Sequence, residues 1–417
     1  MATNKTDKVF NVPTLRFPGF TEEWQKMRLD ELLEFYSTNS LSWEQLEYDR
    51  GGFYNLHYGL IHVGLPTLVD SSKYNLPTIK EDFLPRNYEL VKDGDVAFAD
   101  ASEDTNEVAK AIEFTNTDSN QIVCGLHTIH GRDKDDRTKI GFKGFYFSSP
   151  AFHNQVRRLA QGTKIFSIST KILSECFVSL PSKDEQTKIA NLLSLIDERI
   201  ALQSKLIEDL KILKSAIVER MLQQETESTV ILSSLGRFIR GVTYSTEDIT
   251  DGDGTLVMRA TNITTGNPLN FKSDVVTISK RVSKEQLIAT NDIVICLANG
   301  SSALIGKNSV YDGGCLSSLT IGAFCGVFRP NHSFVKWLFQ TSQYRTNVAR
   351  SIQGGNGAIA NLSPSDILTM KFALPNNDVL NMYDNLLNKI DDKLVTETKL
   401  LDDILSQKCY LLSAMLI

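Results

Sequence analysis

Residues Lys183–Gln224 read KDEQTKIANLLSLIDERIALQSKLIEDLKILKSAIVERMLQQ, and this stretch decides the fold. Apolar side chains recur at Ile189, Leu193, Ile196, Ile200, Ile207, Leu210, Ile217 and Met221. The steps alternate between four and three residues, which is the seam of a coiled-coil helix. A shift of 194 residues finds the seam again between Asn376 and Ile417, at Tyr383, Leu387, Ile390, Leu394, Leu401, Ile404, Leu411 and Met415. Even the interruptions repeat, since Gln203 and Lys214 are matched by Glu397 and Lys408. A polar seam residue lowers stability but fixes register, so matched interruptions predict that the two helices pair with each other. At 1.5 Å per residue each helix extends roughly 60 Å, longer than a small domain is wide, which suits a spacer or scaffold.

Working outward, the segment before each helix also repeats, more loosely. Gln161-Gly162, Ile168-Ser169 and Leu180-Pro181 return as Gln353-Gly354, Leu362-Ser363 and Leu374-Pro375. Leu29-Asp30-Glu31-Leu32 is similar to Leu232-Ser233-Ser234-Leu235, Gly94-Asp95-Val96 to Asn291-Asp292-Ile293, and 147–156 tracks 339–348. Strands are predicted at 95–99, 293–297 and 323–328, and helices at 151–160 and 334–351. The plan is a mixed α+β domain at 1–182, a helix at 183–225, a second α+β domain at 226–375 and a second helix at 376–417.

Composition bounds the function. No apolar run approaches the roughly 18 residues of a membrane span and the first ten residues are polar, so a cytoplasmic protein is expected. Six cysteines without a CxxC pair speak against a zinc site or a disulfide framework and read as small core residues. The net charge of −6 is unlike that of a self-sufficient DNA binder. Only 226–375 is net basic, with 13 basic against 10 acidic side chains.

Catalytic motifs fail on inspection. Gly300–Asn308 approaches a phosphate-binding loop but has five residues where four are needed, and Asn308 stands where Ser or Thr should hold magnesium. Asn267-Pro268 begins like an amino-methyltransferase signature, yet Leu269-Asn270 follows where an aromatic should stack. Gly354-Gly355-Asn356-Gly357 reads as a cap and turn. His57 with His62, and His127 with His130, have no HExxH or third ligand, so no metal site is assigned.

Leu180-Pro181-Ser182-Lys183-Asp184-Glu185-Gln186, followed by Ile189, Leu192, Leu193, Ile196-Asp197 and Ile200, resembles the boundary motif of type I restriction-modification specificity subunits (HsdS-type). Gly236 to Tyr244, Asn291–Val294 and Gly306-Lys307 are similar to that family's recognition-domain landmarks; in the second copy Glu185-Gln186 gives way to Val379-Leu380. The resemblance implies an α+β fold of two target recognition domains, each followed by a long helix, the helices pairing as an antiparallel coiled coil with pseudo-two-fold symmetry. It implies a non-catalytic subunit in which each domain reads one half of a bipartite, asymmetric site in double-stranded DNA. Two methyltransferase subunits and two restriction subunits are the implied partners, carrying S-adenosylmethionine, ATP and Mg; no cofactor is expected on this chain. An adaptor whose two α+β modules bind proteins is the alternative, and it accounts better for the acidic balance.

DNA-contact candidates follow from side-chain chemistry, because Arg and Lys can bond guanine and Asn can bond adenine in the major groove. In the first domain they are the cluster Arg132, Lys134, Arg137, Lys139 and Lys143, beside Phe142, Phe145 and Tyr146, together with Lys164 in a Gly-containing turn. In the second they are Arg259, Asn262, Asn299, Ser301, Ser302 and Lys307, with Arg329 and Asn356 ranked lower. Arg157, Arg158, Arg345 and Arg350 fall on predicted helices, where a structural role is equally plausible.

Overall fold

The computed structural model describes residues 11–48, 51–162, 164–266, 268–271, 273–352 and 360–417. Gln353-Gly354, the Gly354–Gly357 turn with Asn356, Thr163 and Asn267 lie outside the described residues. Two compact units emerge. One takes in the chain up to Ser204 together with Lys399–Ile417, the other Lys205–Thr398.

In the first unit a five-stranded sheet runs in the order Leu33–Tyr36, Thr128–Asp133, Val96–Ala99, Ala111–Thr115, Leu68–Asp70. In the second the order is Gly236–Arg240, Cys325–Pro330, Ile293–Cys296, Asn308–Val310, the same plan less its last strand. Val96–Ala99 and Ile293–Cys296 are buried along their whole length because both faces are covered. Val96 and Phe98 enter one hydrophobic cluster, Ala97 and Ala99 another. Ile293 and Ile295 divide from Val294 and Cys296 in the same alternation, which is the period-two geometry of a strand.

A smaller sheet in each unit is built on a parallel pair, Phe53–Leu56 beside Gln121–Cys124 and Thr255–Met258 beside Leu319–Ile321. Each domain is closed by an antiparallel ribbon, Gln25–Arg28 with Phe177–Leu180 and Ser228–Ile231 with Lys371–Leu374. The closing strands deliver the chain to Pro181 and Pro375, directly ahead of the long helices.

The turn before each central strand explains one of the sequence repeats. Gly94 and Asn291 both adopt a left-handed conformation, φ 82° and 72°, open to Gly and tolerated by Asn. The next residue, Asp95 or Asp292, accepts the backbone N–H three residues back, from Lys92 or Ala289. The same carboxylate then grips an arginine on the neighbouring strand through two bonds, Asp95 to Arg132 and Asp292 to Arg329. Nη2 of each arginine, which already bonds the carboxylate, also donates to the carbonyl of Leu90 or Leu287. Asp95 also accepts from His130 Nε2 at 2.7 Å.

Burial pushes the Asp95 carboxyl up, but the bonds from His130 and Arg132 outweigh it and hold the group below the usual carboxylate range. A depressed folded-state pKa adds stability above the unfolded value near 4 and loses it as pH falls through the folded value. The urea midpoint of the wild type should therefore fall on acidification below about pH 4, with a shallower fall in Asp95→Asn, and parallel acid limbs in the two proteins would refute the assignment.

The long helices span Lys183–Leu222 and Asn377–Met415. In the first unit Ile189, Leu193 and Ile196 share a core with Ile404, Leu411 and Met415. In the second, Val218 and Met221 share a core with Leu380, Tyr383 and Leu387. The start of each helix thus meets the end of the other, an antiparallel pairing. All sixteen apolar seam residues are buried or half-buried.

The seam lysines form ion pairs across it, Lys214 with Asp391 at 2.6 Å and Lys408 with Asp197 at 2.5 Å. Asp197 and Asp391 are themselves 194 residues apart, so each pair is the copy of the other. Each ammonium also lies over an aromatic ring of its own unit, Lys214 5.2 Å from Trp337 and Lys408 5.8 Å from Phe145.

The two helix starts differ, for a visible reason. Buried Glu185 holds Arg16 through two bonds of 2.6 and 2.7 Å. The Gln186 side chain accepts Lys139 N–H and donates to the carbonyls of Arg137 and Pro181. At the second start Asn376 caps the helix by accepting Val379 N–H, and Leu380 enters the core.

Several expectations require correction. The single helix expected at 334–351 is two, Val335–Leu338 and Ser342–Ser351, because the Thr341 hydroxyl caps the second by accepting Tyr344 N–H. The strand expected at 323–328 starts at Cys325, since 323 and 324 form a turn. Cys124, Cys176, Cys296 and Cys325 are buried, but Cys315 is half-buried and Cys409 exposed, so not every cysteine is a core residue.

Candidate nucleic-acid interface

The structure divides the first-domain candidates into bound and available groups. Arg132 is committed to Asp95, Glu89 and the Leu90 carbonyl, and its counterpart Arg329 makes the matching bonds to Asp292 and the Leu287 carbonyl in the other unit. Lys143 is buried against Glu113 and the Thr138 hydroxyl. Both leave the DNA-contact set, because withdrawing either cation strands a buried carboxylate. Phe142, Phe145 and Tyr146 are core residues and present no face to a base.

The rest of the cluster lies on the segment docked by Gln186. Lys134 donates to the Asp30 carbonyl, and Arg137 pairs with Asp135. Among the described residues of this cluster, exposed Lys139 alone has no side-chain partner. Lys164 sits elsewhere, exposed on a tight turn closed by bonds between Gln161 and Ser167. Gly162 in that turn has φ 138°, and a Cβ there would lie 1.9 Å from the Ile165 carbonyl oxygen. The turn leads into Phe166–Ser167, which pairs with Ala101–Ser102.

The second-domain candidates fall into two concavities. Arg259 and Asn299 line a cleft of about 650 Å³ with Tyr244, Thr261 and Phe324. Ser302, Lys307 and Arg345 line a smaller one of about 240 Å³. Ser301 is exposed beside Ser302. Arg259 is exposed and pairs with Asp274, a bond that an incoming phosphate or guanine can exchange. Asn262 is corrected to a structural residue: it is buried, accepts Arg259 N–H and donates to the Ser273 carbonyl. Lys307 is followed by the strand Asn308–Val310, where a phosphate-binding loop would open a helix, so that resemblance is spurious.

Sequence reasoning named the histidines of the first domain but missed that Trp43 and Tyr58 gather three of them into one aromatic group. Trp43 packs on His57 at 4.5 Å, and Tyr58 touches His57, His62 and His127 at 4.7, 5.9 and 5.2 Å. His130 does not join them, being buried against Asp95. Burial, reinforced by the nearby His127, lowers the His57 pKa. Among the described residues no group of three or more His, Cys, Asp or Glu side chains could hold a metal ion, and no helix is long and apolar enough to cross a membrane.

Known proteins fit this geometry. The fold covers 97% of the chain when laid on 99% of the type I restriction-modification S subunit from M. genitalium, with TM-score 0.56 and 14% identity. A chain from a structure titled for complex assembly and conformational transition of the type I R-M system gives TM-score 0.56 at 13% identity, over 95% of this chain and 98% of that one. The fold is thus a duplicated α+β architecture shared with these solved chains.

Residues 21–211 match the family described as "Type I restriction modification DNA specificity domain". The EcoKI specificity subunit of Escherichia coli (strain K12) is 30% identical over 172 residues, 38% of this chain and 36% of that protein. The StySPI specificity subunit of Salmonella potsdam is 28% identical over 176 residues, 39% and 37% of the two chains. The aligned region therefore spans little more than a third of these relatives. Residues 21–211 thus match a specificity-domain family, and the resemblance of the chain to type I specificity subunits holds.

Proposed function

We propose that the chain is the non-catalytic DNA-reading subunit of a type I restriction-modification complex. Each α+β domain reads one half of a bipartite, asymmetric site, and the helix pair sets the unread gap between the halves. The observation that carries this reading is a scaffold repeated down to its ion pairs, Lys214–Asp391 and Lys408–Asp197, bearing two unlike faces. A repeated scaffold gives two heads of equivalent construction, and unlike faces let them read unlike sequences.

Methyltransferase and restriction subunits supply the chemistry in this reading, two of each, together with S-adenosylmethionine, ATP and Mg. They also supply much of the phosphate grip that an acidic chain lacks, so DNA binding by the assembled complex should weaken steeply with salt. Lys139, Lys164, Arg259 and Lys307 are this chain's own contribution. Mapping methylated bases genome-wide in cells with and without the gene tests the proposal. Deletion should abolish one split motif; an unchanged map in cells that express the gene would overturn it.

A further inference from the structure

We infer that base choice in each half-site is set by the residue at the tip of one matched turn, His127 in the first domain and Phe324 in the second. The inference rests on the DNA-reading role proposed above and assigns a specificity residue to each head. Both turns join the smaller sheet to the central one. The first leaves Gln121–Cys124 and enters Thr128–Asp133; the second leaves Leu319–Ile321 and enters Cys325–Pro330.

The backbone of each turn is fixed in the same way. Asp100 N–H donates to the His127 carbonyl at 3.0 Å, and Leu297 N–H to the Phe324 carbonyl at 2.9 Å. Asp100 and Leu297 follow the central strands at the same offset. In the first turn Thr128 Oγ1 also donates to Gly125, where a Cβ would come within 2.3 Å of Asn55. His127 is held at φ 55°, a left-handed conformation uncommon among non-glycine residues but one that His, like Asn and Asp, adopts more readily than most. The frame is rigid and repeated while its tip side chain is exposed, the arrangement that presents a reading group at low ordering cost.

The two tips carry different chemistry. The Phe324 ring is 65% exposed at the rim of the cleft that holds Arg259 and Asn299. An apolar ring beside a cation suits the thymine methyl group and neighbouring phosphates in a major groove. His127 has Nδ1 3.0 Å from the Asp100 carboxylate and its ring edge against Tyr58. With Nδ1 so held, Nε2 is left to bond a base edge. One head therefore selects by apolar contact and the other by a hydrogen bond.

The test uses the full chain co-expressed with its methyltransferase partner, and the readout is the methylated motif. Wild type, Phe324→Ala, Phe324→His and His127→Ala are compared, with thermal melts confirming that each is folded. The Phe324 variants should relax or change one or two positions of one half, with roughly tenfold or greater loss of discrimination there, and His127→Ala should do so in the other half. An unchanged motif in all variants, relaxation of the same half by both residues, or loss of methylation by a folded variant without a change of motif overturns the assignment. Absence of any split motif with the wild-type chain would instead refute the underlying DNA-reading role.

Discussion

Replacing Asp95 by Ala is expected to destabilise the first unit by about 3–5 kcal/mol, because it strips the carboxylate from the partly buried Arg132 guanidinium and the hydrogen-bond partner from the buried His130 ring. The carboxylate accepts from His130 Nε2, from Arg132 Nε and Nη2, and from the Lys92 N–H of its own turn. Glu89 and the Leu90 carbonyl still hold part of the Arg132 guanidinium, which keeps the loss from being larger. For a unit of this size the melting temperature should fall by roughly 10 °C, measurable by calorimetry. A loss below about 1 kcal/mol would show the clamp to be dispensable. The same variant separates two roles for Arg132: a DNA-reading arginine freed from Asp95 would bind DNA more tightly, whereas a structural one gives weaker binding along with the lost stability.

Trp337→Ala should cost the second unit a similar amount, about 3–5 kcal/mol, the usual range for a large buried aromatic. Trp337 is fully buried, and its indole N–H donates to Asp384 at 2.7 Å. Lys336 and Lys214 lie over the ring at 4.5 and 5.2 Å, so the cavity would also leave two ammonium groups facing empty space. Burial already lowers the Lys336 pKa. Trp337→Phe should retain most of the stability, losing about 1–2 kcal/mol with the indole hydrogen bond to Asp384, whose Oδ1 keeps the bond from Asn388, because Phe145 fills the matching place in the first unit. Hydrogen exchange should report lost protection in Ile293–Cys296 and Cys325–Pro330; full protection there would contradict this account of the core.

The helix pair and the duplication could be read from sequence because a heptad is a local pattern, and one that repeats its own flaws is hard to mistake. Lys214 and Lys408 were visible as interruptions, although their partners Asp391 and Asp197 were not, since pairing across two helices has no local signature. The candidate DNA-contact groups were harder for the same reason. Arg259, Asn299 and Phe324 share one cleft although 65 residues separate the first from the last. Trp43, His57, Tyr58, His62 and His127 are likewise assembled by sheet topology.

Arg132 was misplaced because a run of charges looks solvated when its partner is 37 residues away. A signal was nevertheless present: Arg329 and Asp292 stand at the same mutual spacing as Arg132 and Asp95. A pair common to both domains belongs to the scaffold, and the proposed reading residues lie where the domains differ, as Phe324 differs from His127.

The seam lysines carry one further consequence. Apolar packing along the seam fixes how the two rods face each other and how far they slide, but leaves the angle at which each domain meets the rods to contacts between rod and domain. An ammonium held between a carboxylate on the opposite rod and a ring on the adjoining domain sets that angle as well, as a key does in a shaft. Any exchange that imports a new α+β domain should therefore bring an aromatic side chain to the place of Phe145 or Trp337, or the imported domain will lose this tie to the rods even when it folds.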